Sequence, residues 1–272
     1  MAAYALHRTP RTIYAALEFS RGIQELLTLI AADPLLARAP RGDGHPVMTL
    51  PGFCGADGST ALLRRQIARW GYAAHPWELG RNLDPLRGGN LELVFEFMRD
   101  MVGTLGRRLH RMHRRSGKRI SLVGWSLGGL YARQLAAAYP DLVRQVITLG
   151  TPFSGDPKAT NAWRLYEFAS GHKLDDPQML AQLRQAPPVP TTSIFSRSDG
   201  VVAWPLSWQE AAQHTENIEV QASHVGLGMN PAAMYAMADR LSQPEGSWEK
   251  FHRSGWRQWI YRDPDRGSAG LF

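Results

Sequence analysis

Val123-Gly124-Trp125-Ser126-Leu127-Gly128-Gly129 follows an apolar run at 120–123 and precedes a helix-like segment at 130–138. This order predicts a strand, a sharp turn and a helix, and the glycines at 124 and 128 let the two elements approach without Cβ clashes. Ser126 stands at the apex of the turn, where its hydroxyl is held out for attack. Many serines beside glycines only cap helices, so a catalytic interpretation requires partners elsewhere in the chain.

Length and composition favour one large α/β domain. The chain has 272 residues, of which 44% are apolar, and it can therefore bury a substantial core. Cys54 is the single cysteine, which excludes an intrachain disulfide and is compatible with a reducing compartment. The start of the sequence lacks the pattern of a secretion signal, and no run has the length of a membrane span. We therefore expect a cytoplasmic protein.

The chain is basic, with a formal net charge of +7. Many of its cations lie between Arg107 and Arg119, in a segment whose apolar residues recur at helical spacing. Neither a nucleic-acid-binding motif nor a basic groove interleaved with aromatic residues accompanies them. The cluster is typical of a solvated helix end whose cations complement the helix dipole, and we expect no nucleic-acid partner.

Strand-like and helix-like segments alternate along the chain. Strands are predicted at 46–50, 72–79, 118–124, 143–150, 192–196 and 218–220. Helical patterns separate most of these segments, and such alternation is typical of βαβ units. The predicted fold class is therefore α/β, with a doubly wound, mostly parallel sheet flanked by helices and a small helical cap or lid.

The same sequence pattern predicts four regions. They are an N-terminal helical segment at 1–45, a core at 46–155 and 191–242, a cap or lid insertion at 156–190, and a C-terminal tail packing on the core at 243–272. The first region contains a helix over 11–37 with an apolar stripe of Phe19, Ile23, Leu26 and Ile30. Core packing, support of a lid and weak contact with a membrane surface remain alternatives for that stripe.

A serine needs a base within hydrogen-bond reach, and the base needs an acid that fixes its tautomer. Ser126, Asp199 and His224 occur in this order, each on a loop directly after a predicted strand. The carboxyl ends of parallel strands share one edge of the sheet, which predicts that the three side chains meet. Asp199 also suits an ordinary turn, but no other histidine combines a strand-end position with a place after a strand-end acid.

These pieces resemble the α/β-hydrolase family, and more narrowly its serine esterases and lipases. The resemblance rests on Pro51-Gly52-Phe53-Cys54-Gly55, Gly124-Trp125-Ser126-Leu127-Gly128, Asp199-Gly200 and His224, and it covers roughly residues 46 to 241. It implies an oxyanion hole formed by the backbone N–H groups of Phe53 and Leu127. Pro51 stands where many relatives have a histidine. The resemblance also implies an acyl-enzyme on Ser126 and requires no metal or organic cofactor.

The pocket is predicted from residues near these loops and in the cap: Cys54, Trp125, Trp163, Tyr166, Phe168 and Val201. The aromatic residues of the cap either line an acyl pocket or form a small satellite core. The leading hypothesis is a hydrolase of small-molecule or lipid carboxylic esters. An acyltransferase or thioesterase with the same residues is the first alternative. A non-catalytic binding or membrane-associated protein of the same fold is the second.

Overall fold

The computed structural model describes residues 9–82, 91–154, 160–161 and 177–265. The described strands form one six-stranded parallel sheet in the order β2-β1-β3-β4-β5-β6. The strands are β1 (Pro46–Leu50), β2 (Ala73–His75), β3 (Ile120–Trp125), β4 (Val143–Leu149), β5 (Thr191–Phe195) and β6 (Thr215–Glu219). The predicted parallel α/β architecture is confirmed.

Helices cover both faces of the sheet. They are α1 (Thr12–Leu36), α2 (Ala61–Arg69), α3 (Leu91–Ser116), α4 (Leu127–Ala138), α5 (Pro177–Arg184) and α6 (Pro231–Leu241), with short 3₁₀ turns at Asp57–Thr60, Trp204–Ser207 and Gly255–Trp259. Among the described helices, none is both long and apolar enough to cross a membrane.

Two apolar cores lie on opposite faces of the sheet. Successive strand residues point to opposite faces, so Ile147 packs in the core with α2 and α6, whereas Val146 packs in the core with α3 and α4. Every residue of β1, β4 and β5 is buried, as expected for parallel strands covered on both sides. This arrangement leaves the loops at the carboxyl ends of the strands to form a site.

Two strands differ from their predicted bounds. β2 spans only Ala73–His75 instead of 72–79, because Pro76 has no N–H to continue the ladder. β6 begins at Thr215, earlier than predicted, and pairs with β5 in register from Thr191 onward. Four of the five residues of Thr215–Glu219 are polar, so the hydrophobic pattern alone could not place this segment in a strand.

The N-terminal helix is present, but its apolar stripe does not pack on the core. Phe19, Ile23 and Ile30 are exposed, whereas Glu18 and Gly22 are buried. The expectation of core packing is therefore wrong for this stripe. The stripe faces outward because the opposite face of α1 makes hydrogen bonds to the rest of the protein.

Most of the predicted cap at 156–190 lies outside the described residues. Within the described part, Leu183 of α5 packs against Leu130 of α4 and against Phe153. Arg133 of α4 donates to the backbone oxygens of Leu183, Arg184 and Gln185. These contacts fix the segment that leads from α5 back to β5. The predicted boundaries of the four regions remain predictions.

Candidate active site

Ser126 occupies a strained turn between β3 and α4. Its φ of 52° and ψ of −123° place a residue with a side chain in a region that favours glycine. The turn is held because the Ser126 N–H donates to the Leu149 oxygen at 2.8 Å. A Cβ on Gly128 would overlap the carbonyl oxygen of Leu50, so a glycine is required there for α4 to begin against β1. Packing around the turn therefore maintains the strained backbone of Ser126.

Asp199 follows β5 and is oriented by the backbone of its own loop. Its Oδ1 accepts hydrogen bonds from the N–H groups of Val201 at 2.8 Å and Val202 at 2.7 Å. Its Oδ2 lies 2.7 Å from Nδ1 of His224. Both side chains are buried, and burial strengthens a hydrogen bond between an imidazole and a carboxylate.

His224 joins the acid to the serine. Its Nε2 lies 3.0 Å from the Ser126 Oγ, so the structure brings together all three residues that the sequence predicts as partners. Burial lowers the pKa of His224, but the charge and hydrogen bond of Asp199 and the charge of Glu18 outweigh burial. The pKa therefore lies above its ordinary value of 6.5.

Gly150, directly after β4, makes room for this pair. It adopts a φ of +54°, and a Cβ there would lie 3.1 Å from both Asp199 Oδ2 and His224 Nδ1 and closer still to Leu227. A side chain at 150 would be strained in its backbone and would press on the acid and the histidine. The sequence analysis did not single out this glycine, although its position at a strand end offered a signal.

The predicted oxyanion loop packs directly on the serine turn. A Cβ on Gly52 would lie 3.2 Å from the Cβ of Ser126, which places the loop beside the hydroxyl. Leu127 is the first residue of α4, and the N–H groups of a first helical turn have no acceptor within the helix. The two predicted donors, Phe53 and Leu127, therefore flank Ser126 in the fold; their catalytic role stays a prediction.

Asn82 supports this loop from outside, a role the sequence analysis missed. Its buried side-chain amide donates to the Pro51 oxygen at 2.7 Å. Its backbone N–H donates to the Gly55 oxygen at 2.7 Å, and its backbone oxygen accepts from the Cys54 N–H at 2.8 Å. Three bonds thus hold the loop that contains Pro51. Asn82 lies in a turn-rich stretch without periodicity, which gave no signal.

The predicted pocket residues are only partly described. Cys54 is exposed with a φ of 59°, Val201 is half-buried against Val202, and Trp125 is half-buried with its Nε1 donating to the His224 oxygen at 3.1 Å. Trp125 thus supports the histidine loop as well as flanking the serine. The cap residues Trp163, Tyr166 and Phe168 lie outside the described residues.

The acid and histidine loops are tied together by α1, which the sequence analysis did not connect with the site. Glu18 is only 4% exposed. Its Oε1 accepts from the N–H of Gly200 at 2.7 Å and of His224 at 3.1 Å, and its Oε2 accepts from the N–H of Val225 at 3.0 Å. A single carboxylate thus bridges the loop that carries Asp199 and the loop that carries His224.

Two further side chains of α1 strengthen this link. Arg21 donates to the backbone oxygen of Ser198 at 2.5 Å and to its Oγ at 2.7 Å. Glu25 accepts from the N–H of Ser223 at 2.8 Å and from its Oγ at 2.5 Å. Glu18, Arg21 and Glu25 recur at helical spacing and so lie on one face of α1.

Comparisons with known proteins agree with this architecture. A family model described as alpha/beta hydrolase fold matches residues 50–173. The structure is similar to Aspergillus fumigatus lipase B, with a TM-score of 0.53 and 16% identity over 74% of this chain and 53% of that chain. It is also similar to TT1662 from Thermus thermophilus, with a TM-score of 0.52 and 16% identity over 74% of this chain and 89% of that chain.

A third similar structure is a monoacylglycerol lipase from Paleococcus ferrophilus, with a TM-score of 0.50 and 12% identity over 75% of this chain and 96% of that chain. At such identities, structural likeness shows a shared fold. The family model, the parallel sheet and the serine turn after β3 agree with one another, and they show that the chain has the alpha/beta hydrolase fold.

Proposed function

We propose that the protein is a serine hydrolase that cleaves carboxylic esters through an acyl-enzyme on Ser126. The observation that carries the proposal is the continuous line of hydrogen bonds from Asp199 Oδ2 to His224 Nδ1, at 2.7 Å, and from His224 Nε2 to Ser126 Oγ, at 3.0 Å. A nucleophile, a base and an orienting acid with this geometry are what acyl transfer needs.

In the first half-reaction, His224 Nε2 takes the proton of Ser126 Oγ as the oxygen attacks the ester carbonyl carbon. The negative charge that develops on the carbonyl oxygen is stabilised by the N–H groups of Phe53 and Leu127. The C–O bond to the alcohol then breaks, and the alcohol leaves with the proton from His224. Asp199 stabilises the imidazolium and keeps Nε2 available as the base.

In the second half-reaction, water replaces the alcohol. His224 removes a proton from water, the resulting hydroxide attacks the acyl carbon, and the bond to Ser126 Oγ breaks. The carboxylic acid leaves, and the proton held by His224 returns to Ser126. An acyl acceptor other than water would turn the same steps into acyl transfer, so the substrate assay has to include both outcomes.

The test is hydrolysis of p-nitrophenyl esters from acetate to palmitate, with mass spectrometry of the acyl-enzyme. We expect turnover by the wild type, an acyl adduct on the peptide that contains Ser126, and neither in Ser126→Ala. Ser116→Ala is the matched control, because Ser116 lies at the end of α3, where its Oγ donates to the Met112 oxygen. It should behave as the wild type.

Equal rates in the wild type and Ser126→Ala would contradict the mechanism. Release of thiol from acyl thioesters, without hydrolysis of any ester, would favour the thioesterase alternative. Appearance of a new ester when a competing alcohol is added would favour the acyltransferase. The chain length that gives the highest kcat/KM distinguishes a short-chain esterase from a lipase.

A further inference from the structure

The polarity of α1 is reversed relative to an ordinary surface helix. Its charged residues Glu18, Arg21 and Glu25 face the protein. Its outer face carries six large apolar side chains that are between 59% and 78% exposed: Ile13, Phe19, Ile23, Leu27, Ile30 and Leu35. The uncharged polar residues Ser20, Gln24 and Thr28 lie among them. Because monomeric proteins rarely expose so many large apolar side chains on one helix face, this face indicates a binding surface.

The charge distribution along α1 restricts the partner. Within α1, which is described throughout its 25 residues, the exposed charged side chain is that of Asp33 near the C-terminal end, and it is paired with Arg69 of α2. Exposed arginines stand just beyond the two ends of the helix, at positions 11 and 38. The outer face is thus an uncharged ridge of about 37 Å, with a cation at either end.

The C-terminal tail adds aromatic and basic residues beside the start of α1. Trp259 is 85% exposed, and together with Ile260 and Tyr14 it lines one cavity, whose wall also includes Arg262. Arg253 lines a second cavity with Trp259. Tryptophan and arginine at the rim of an apolar surface are typical of segments that lie at a membrane–water interface.

We propose that the outer face of α1, extended by Trp259 and Ile260, binds the surface of an anionic lipid bilayer. The helix would lie in the plane of the interface with its apolar residues among the acyl chains and its flanking arginines at the headgroups. The net charge of +7 favours an anionic surface. A second copy of the chain fits less well, because antiparallel pairing of two such helices would bring their terminal arginines together.

This surface is independent of the proposed reaction but is mechanically joined to the site. The inner face of α1 holds the Asp199 and His224 loops through Glu18, Arg21 and Glu25. A membrane-bound α1 would therefore keep those loops close to the lipid surface.

The test is co-sedimentation of the full chain with vesicles of phosphatidylcholine, with and without phosphatidylglycerol. We expect the wild type to bind the anionic vesicles more tightly, and Ile23→Glu combined with Leu27→Glu to weaken that binding by about 10²-fold or more. Leu62→Glu is the matched control, since Leu62 is also an exposed apolar residue but lies on α2. Ser126→Ala should bind as the wild type does, so loss of hydrolysis and loss of lipid binding are separable.

Three results would overturn this proposal. The first is unchanged binding by the doubly substituted protein, and the second is equal binding to neutral and anionic vesicles. The third is absence of vesicle binding together with a wild-type dimer, by size-exclusion chromatography, that the double substitution converts to a monomer. The third result would assign the outer face to a second copy of the chain.

A second, independent observation is the set of three backbone N–H groups that converge on the buried Glu18 carboxylate. We infer that Glu18 is a positioning residue for the proposed acyl transfer, an inference that rests on the proposed function. Charge-assisted hydrogen bonds of this kind are stronger than neutral ones. Glu18 thereby fixes Gly200 beside the acid and the backbone of the histidine itself.

The charge of Glu18 also reaches the imidazole. His224 is faced by Asp199 from the loop after β5, by Ser126 from the turn after β3 and by Glu18 from α1. Arg21 and Glu25 face the neighbouring Ser198 and Ser223 instead. Because the negative charge of Glu18 favours the imidazolium, its removal should lower the pKa of His224.

The test compares Glu18→Gln with Glu25→Gln in the pH dependence of kcat/KM for a p-nitrophenyl ester. The base has to be neutral, so activity falls as the pH falls through the pKa of His224. We expect Glu18→Gln to move this acid limb to lower pH and to reduce kcat by about 10- to 100-fold. Glu25→Gln makes the same change on the same helix, and we expect its acid limb to stay in place.

Glu18→Asp separates position from charge. It keeps the charge but shortens the side chain, so kcat should fall while the acid limb stays close to that of the wild type. A wild-type profile and kcat in Glu18→Gln would overturn the inference about Glu18 alone. If the wild type itself hydrolyses none of the esters, the proposed function fails instead.

Discussion

His224→Ala is expected to lower kcat/KM for p-nitrophenyl butyrate by about 10⁴- to 10⁶-fold. His224 Nε2 lies 3.0 Å from the Ser126 Oγ, and without this base the hydroxyl keeps its proton at neutral pH. Initial rates between pH 6 and 9, together with the melting temperature, measure the effect. A small change in melting temperature with a large loss of rate would show that the loss is chemical.

His252→Ala is the control for this substitution. His252 is exposed in the C-terminal tail, 3.6 Å from the carboxylate of Glu249, and its removal should leave the rate unchanged. Activity close to that of the wild type in His224→Ala would mean that another group accepts the serine proton. The assignment of the base would then have to be abandoned.

Asp199→Asn is expected to reduce kcat by about 10⁴-fold with little change in the local fold. In the wild type the N–H groups of Val201 and Val202 donate to Oδ1 of Asp199, and the amide oxygen of the asparagine can still accept both hydrogen bonds. The amide nitrogen would then face His224 Nδ1 in place of Oδ2 and donate to it. The imidazole proton would move to Nε2, where it prevents the histidine from accepting the serine proton.

The control is Asp141→Asn, which makes the same chemical change at an exposed turn before β4. It should match the wild type in rate and stability. A second check is the pH profile, because Asp199→Asn removes the charge that raises the pKa of His224. Loss of less than about tenfold in kcat would show that Asp199 does not set the tautomer of the base.

Much of the architecture is predictable because it depends on local pattern. The alternation of strand and helix segments predicts a parallel α/β sheet, which the structure confirms. The glycines around Ser126 indicate a tight strand-to-helix turn, and the positive φ of Ser126 agrees with it. Asp199 and His224 could be selected because both follow strands, and parallel strands end at one edge of the sheet.

The support of the site could not be predicted, because it depends on contacts between distant segments. Glu18 is one acid among several in a helix, and nothing in its neighbourhood indicates that Gly200, His224 and Val225 lie within its reach. The apolar stripe of α1 has the same period whether it faces a core or the outside. In the structure the stripe faces outward, because the carboxylates on the opposite face of α1 accept hydrogen bonds from backbone N–H groups of the site loops.

Asn82 illustrates the same limit for the predicted oxyanion loop. Nothing in the sequence around Pro51 indicates which side chain supports this loop. In the structure, the side-chain amide of Asn82, 31 residues away, donates to the Pro51 oxygen. The supporting role of a single polar residue in a stretch without hydrophobic periodicity can be identified only from the folded structure.

The contact between Glu18 and His224 also bears on how the protein is made. The two residues are 206 positions apart, so during synthesis the N-terminal helix emerges long before the loops it will hold. Contacts of such separation form late and slowly. Until β6 and the loop after it have been synthesised, Glu18 lacks the backbone partners that it has in the folded protein. The loops of the candidate site can therefore be fixed by α1 only late in folding.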